Sequence, residues 1–382
     1  MKKFRHWAIC LAMTAMFCRV ALCESEANEP LARAPIKIGW IGSMTGPLAK
    51  WGAYQAALLA QDEVNARGGV KGRQLEIVFE DAHADGKAAV SAFEKLTALD
   101  RVSFVLGGHC TPESLAIAPL AERKKILTIA SITSTPKLTN AGDYIFRVTP
   151  VSIQLADVLA PYAYKVARVR KLAILYENTD YVQPPAERLS DLFKAEGGSV
   201  TSIDSFNREE TDFRSILLRI SAKRPDALYF GVQSPDTALV LARQFRQLGL
   251  SQKLFSNEQV AGAVLSASEP HAGDILNGVV FAEPVCDLSS PATSDFAKRY
   301  NERFHTGKLP FGCYTAEPYD AVKILTQALA ECDENVECVK QAFYRTKNYS
   351  GASGVVTFDK NGDVSKTYVL KKITDGEVRG LE

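Results

Sequence analysis

Beyond residue 35 the chain alternates short apolar runs with helical patterns, and it does so in two successive series. IKIGWIG (Ile36 to Gly42) is short, branched and bounded by glycine, as a buried strand requires. An Ala-rich helix from Ala53 to Ala66 follows and ends at the turn RGGVKGR. QLEIVFED, VSFVLGG and ILTIAS repeat the strand pattern, separated by helices near Gly86 to Leu99 and Pro112 to Lys125. A strand and a helix every ~30 residues predict βαβ units and a parallel sheet covered on both faces. YIFRVTP ends a strand at Pro150, after which the pattern restarts with KLAILYE, VTSIDSF, DALYFGV, KLFSNE and GVVFAEP. The expected fold is therefore α/β, with two Rossmann-like lobes joined by a hinge. The division is 36–150 for the first lobe, 151–284 for the second, and 285–382 for late helices and strands crossing back between them.

The first residues form a different kind of segment. Lys2, Lys3 and Arg5 precede a mostly apolar run from Trp7 to Phe17, and small residues near Ala21 and Cys23 lead into ESEANEP. This reads as a secretory signal peptide over residues 1–23, cleaved after Cys23. Lipidation at Cys23 is the alternative, which Leu22 before it fits poorly. No later stretch approaches the ~18 apolar residues of a membrane span. Export makes disulfides permissible. Of eight cysteines, five lie beyond the leader. Cys332 and Cys338 flank the short segment DENVE, so a bridge there would staple a turn; Cys286 with Cys313 is a second candidate pair, which leaves Cys110 over.

Charge narrows the function. Lys plus Arg number 45 and Asp plus Glu 44, a balance with no basic footprint for nucleic acid. The five histidines are scattered and no Cys-x-x-Cys occurs, so neither a metal nor any cofactor is expected, and His109 reads as a loop residue. No G-x-G-x-x-G follows the first strand and no G-x-S-x-G elbow is present, which argues against an enzyme.

Ligands of open parallel sheets bind beyond the carboxyl ends of strands. In the first series those loops are SMTGPLAKWG, with Trp51 at its end, GGHCTPES, with Thr111 as an N-cap candidate, and ASITSTPKL, with Ser134. A helix start offers unpaired N–H groups and partial positive charge, a seat for a carboxylate. The second series supplies Tyr181, Gln233 and Glu258, the last directly after KLFSN. An acid facing a carboxylate-binding helix start is the partner an ammonium group needs. The pairing favours a zwitterion.

IKIGWIGSMTGPLAKWG, RGGVKGRQLEIVFED and the late NYSGASGVVTFDKNGD resemble the leucine/isoleucine/valine-binding family, type I periplasmic solute-binding proteins of ATP-driven importers. The resemblance runs from about Ile36 to Ile373. It implies a periplasmic monomer that takes an amino acid in an interlobe cleft and partners a membrane permease of an ABC transporter. By similarity, the hydroxyls holding the ligand carboxylate fall on Thr111 and Ser134, and a backbone donor on Ile132. The aromatic of the first loop falls on Trp51, the aromatic cover on Tyr181, and the acid for the amino group on Glu258. Gln233 stands where the branched-chain binders have tyrosine, which with Trp51 alters the side-chain pocket. One partner of the family's early disulfide falls on Cys110 and the other on His83. Relatives of this architecture also take amides, urea and aromatic acids, and a ligand-sensing module serving a separate receptor is a further alternative.

Overall fold

The computed structural model describes residues 34–265 and 269–381; the expected leader lies outside them. Five short strands, β1 (Ile36–Gly42), β2 (Leu75–Asp81), β3 (Phe104–Gly107), β4 (Leu127–Ala130) and β5 (Ile145–Arg147), form one sheet in the order β2-β1-β3-β4-β5. Every pairing in it is parallel. Both faces are covered, by α1 (Ala53–Ala66) and by α2 (Gly86–Ala98) with α3 (Thr111–Lys124), so the central strands β3 and β4 bury every residue. That is why FVLG is an unbroken apolar run and LTIA is broken only by Thr128, itself buried.

The second sheet contains β6 (Lys171–Glu177), β7 (Ser199–Phe206), β8 (Ala227–Gly231), β9 (Lys253–Asn257) and β10 (Val280–Pro284). These run parallel in the order β10-β9-β8-β6-β7. Helices α4 (Gln154–Pro161), α5 (Gln183–Ala195), α6 (Arg214–Ser221), α7 (Pro235–Gln247), α8 (Gln259–Leu265) and α9 (Ala272–Ile275) belong to this half.

The late residues divide between the halves. Helices α10 (Pro291–Phe304), α11 (Glu317–Cys332) and α12 (Val336–Arg345) share one apolar core with β1, β3 and β4, through Phe296, Leu325, Leu329 and Phe343. After a small hairpin of β11 (Tyr349–Gly351) and β12 (Gly354–Val356), the chain returns to the second sheet as β13 (Tyr368–Thr374) and β14 (Glu377–Gly380). Strand β13 pairs antiparallel with β10, and β14 antiparallel with β13, so this sheet is parallel only up to its late edge. A hairpin can join neighbouring antiparallel strands without a crossover helix, and TDGE supplies it.

The chain thus passes between halves after β5, after β10 and before β13. A buried arginine ties the first pass to the third: Arg147 donates from Nε to Asp363 at 2.5 Å, and from its two terminal nitrogens to the Thr135 carbonyl and Thr139 hydroxyl, each at 2.6 Å. Disulfides join Cys332 to Cys338 and Cys286 to Cys313, and Cys110 is a buried free thiol. His83 bonds Thr45 at 2.9 Å, so the family's early bridge has no counterpart at these two positions. No described helix is long and apolar enough to cross a membrane.

Candidate ligand-binding cleft

In each sheet the winding reverses at one point: between β1 and β3 in the first, and between β6 and β8 in the second. Loops leaving adjacent strands there turn to opposite faces and open a crevice. The two crevices face each other. Trp51, Thr111, Ile132 and Ser134 from the first half, and Tyr181, Gln233 and Glu258 from the second, line one cavity.

Each wall has a local cause. After β1 the chain makes a tight turn, Pro47–Trp51, and reverses at Gly52, whose φ of 76° a side chain rarely adopts. A Cβ at Gly52 would also stand 2.2 Å from the Tyr300 hydroxyl, so glycine lets α10 approach and fixes Trp51. The Trp51 ring stacks on Phe311 with centroids 4.5 Å apart and meets His109 edge-on at 5.7 Å.

The start of α3 differs from expectation in one respect. Cys110, not Thr111, is the N-cap; Thr111 is the first helical residue, with Pro112 after it. The capping work falls to Glu113, whose carboxyl accepts from the amides of His109 at 2.6 Å and Cys110 at 3.2 Å. An acid at the third helical position reaches back in this way. Thr111 is thereby released from capping and lines the cavity. In the next loop Thr133 is used structurally, between Ser114 at 2.7 Å and the Gly108 carbonyl at 3.1 Å. Ile132 and Ser134 on either side line the cavity.

Across the gap, Glu258 sits between β9 and α8, buried in the cavity wall. It accepts a hydrogen bond from Tyr181, whose oxygen in turn accepts from Asn257 at 3.0 Å. Burial raises the Glu258 carboxyl to about 7; the Tyr181 bond opposes that rise and the nearby Glu283 adds to it. No lysine or arginine pairs with Glu258 among the described residues; Lys371, on the same side, is paired with Glu283 at 2.5 Å. Beside Glu258, the Gln259 side-chain oxygen is buried without a partner. Gln233 is fixed through its amide, which donates to Glu177 at 2.8 Å.

The halves are bridged at the cleft mouth. Thr135 of the first donates to the Asp180 carbonyl of the second at 2.7 Å, and Lys137 pairs with the Asp180 side chain at 2.5 Å. Asp180 precedes Tyr181, so closure and the placement of the aromatic cover are joined in one turn.

Sequence reasoning missed part of the wall. Leu48, His109, Gln259, Phe311 and Tyr314 also line the cavity. Phe311 and Tyr314 come from the late segment, in a short turn held by the Cys286–Cys313 bridge. In PFGCYT two aromatics flank a glycine and a cysteine, but nothing in that segment alone marks it as cleft wall, and the strand-exit rule does not reach it. His109 was read as a loop residue; it is a buried one in the cavity wall.

A profile of periplasmic binding proteins matches residues 35–377. The Leu/Ile/Val-binding protein of Escherichia coli (strain K12) is 27% identical over 349 residues, covering 90% of this chain and 92% of that one. A leucine-binding protein from Thermotoga maritima superimposes with a TM-score of 0.80 at 25% identity, over 91% of this chain and 98% of its own. A solute-binding protein from R. palustris crystallised with benzoate gives a TM-score of 0.78 at 18% identity, over 91% and 95%. The chain belongs to the periplasmic binding protein family and is a substrate-binding protein rather than an enzyme.

Proposed function

We propose that this protein is exported to the periplasm, closes around an α-amino acid of the branched-chain type or a relative of it, and presents the closed form to the permease of an ABC importer. The observation that carries the reading is Glu258. A carboxyl this deeply buried, raised to about 7 and without a protein cation, is an unfavourable arrangement until a positive group reaches it. An ammonium supplies that charge, and the unpartnered Gln259 oxygen accepts a second of its protons. At the other end, the Thr111 and Ser134 hydroxyls and the Ile132 amide suit a carboxylate. The ligand first meets the first half through its carboxylate; the second half then brings Tyr181 and Glu258 over its amine. Closure removes water and strengthens each charge-assisted bond. The permease would select the bridged form.

The Trp51–Phe311 stack favours a second reading, a flat aromatic acid like the benzoate of the R. palustris protein. Such a ligand brings an anion and no cation to Glu258. Calorimetry separates the two. L-amino acids should bind, while the 2-hydroxy acids of identical side chain, which lack the ammonium, should bind at least roughly thirtyfold more weakly. Binding of benzoate or of the hydroxy acids in preference to amino acids would overturn the proposal.

A further inference from the structure

The cavity wall contains a hydrogen-bond donor that neither ligand end uses. His109 is 2% exposed and lies in the loop between β3 and α3. Its Nδ1 accepts from the backbone amide of Ser43 at 3.3 Å. A ring nitrogen that accepts carries no proton, so the neutral imidazole holds its hydrogen on Nε2. That atom is buried and has no partner. The ring is held in place on its other sides, with its Cβ against Gly42 and its edge against Trp51. His109 lines the cavity, and with Nδ1 engaged by Ser43 the Nε2–H is the ring donor left for a ligand. An unpaired buried donor costs about 1–3 kcal/mol, and native proteins keep few of them. An aliphatic side chain placed against this wall would leave that cost standing.

We propose that His109 selects the ligand side chain: its Nε2–H donates to an oxygen there, so the cleft takes an amino acid bearing a hydroxyl or carboxamide in preference to leucine, isoleucine or valine. The inference rests on the amino-acid reading above and narrows it. The accepting group is neutral rather than anionic. Burial holds the imidazole far below its usual range, at about 4, so it offers a dipole and no charge. Trp51, Phe311 and Leu48 then pack the apolar stem of the side chain while the histidine reads its tip. Recognition of this kind discriminates strongly, because an analogue without the polar atom leaves the site's own group unpaired.

Isosteric pairs provide the test, since shape is held constant and only the oxygen changes. Binding of L-threonine against L-valine, and of L-asparagine against L-leucine, is measured by calorimetry on the full mature chain. In at least one pair the oxygen-bearing member should bind roughly tenfold or more tightly. His109→Asn keeps an acceptor for Ser43 but removes the distal donor, and should bring the two members of each pair to within about threefold of each other. Should the variant fail to fold, the pairs measured on the native protein decide alone. If amino acids bind but the apolar member is equal or tighter in both pairs, the role of His109 is wrong and the amino-acid reading stands. If no α-amino acid binds, both fall together.

Discussion

Two glutamates in this protein meet almost the same environment and differ in one neighbour. Glu258 lies in the cleft wall and Glu317 where the crossing segments converge; both are buried, and burial raises each to about 7. Each accepts from a hydroxyl, Glu258 from Tyr181 and Glu317 from Thr149. Glu317 also has the Lys366 ammonium at 3.3 Å, and Lys366 is further held by the Ser353 hydroxyl at 3.1 Å, which bonds Asp320 at 2.6 Å. Glu258 has no cation of the protein's own among the described residues. The first acid is completed by the fold, tying Thr149 of the first crossing to Lys366 of the third. The second is left for a guest to complete. Burial alone therefore does not separate a structural acid from a binding one; what distinguishes Glu317 from Glu258 is its internal counter-ion.

The largest effect should come from making Glu317 resemble Glu258. Lys366→Met removes the ammonium but retains much of its bulk, leaving a buried carboxylate unpaired. A loss of about 3–5 kcal/mol in unfolding free energy is expected, read by urea denaturation. If stability is unchanged, Glu317 does not need its partner and the contrast between the two sites has no force. Ligand affinity of whatever variant remains folded should be close to native, because Lys366 acts at the crossings.

Glu258→Gln should do the reverse. The substitution keeps an acceptor for Tyr181 and removes a charge that the fold does not neutralise, so apo stability should hold or rise slightly. Amino-acid affinity should fall by about 2–4 kcal/mol, most of it the loss of the ammonium's counter-charge. Calorimetry and a thermal melt on the same sample distinguish this from misfolding. A variant that binds as tightly as the native protein would place the ammonium elsewhere.

How far the sequence carried the reading follows the same division. Strand and helix periodicity are local, and the parallel sheets followed from them: the runs containing LTIA and FVLG alternate with helical patterns as buried parallel strands do. The strand-exit rule led to Trp51, Thr111 and Glu258 because those loops are defined by where a strand stops. Three things had no local signature. The antiparallel return of β13 and β14 depends on which edge of the second sheet is open, a tertiary fact. The contribution of Phe311 and Tyr314 to the cleft depends on a disulfide to Cys286 that brings a late turn over it. The capping of α3 by Cys110 and Glu113 depends on Glu113 folding back onto His109, and this in turn buries a histidine that looks like an ordinary loop residue in isolation. Lys366 is a sharper example, since nothing in DVSKTY marks that lysine as buried beside Glu317.

The smallest effect is the most direct measure of the difference, because it titrates the unpaired acid. In the unfolded chain the Glu258 carboxyl has the ordinary value of 4.5, and in the folded, ligand-free protein it is raised to about 7. Between these values the folded state holds a proton that the unfolded state has released, so stability is greatest below about 4.5 and declines as pH rises through about 7. Tyr181, Tyr314 and Tyr368 around Glu258 are neutral throughout this window, because burial and the acid itself push their hydroxyls well above the usual range. Glu283 adds its charge, partly offset by Lys371. Glu113 and Glu317 are raised into the same window, so the native profile alone cannot assign the slope. The quantity to measure is therefore the native profile minus that of Glu258→Gln, which should decline with rising pH by up to about 1.4 kcal/mol per pH unit between 5 and 7, the limit for one proton. Saturating amino acid should abolish the decline, since an ammonium lowers the carboxyl's pKa and favours its ionised form. A flat difference without ligand would mean that Glu258 is already ionised at pH 5, and its distinction from Glu317 would disappear.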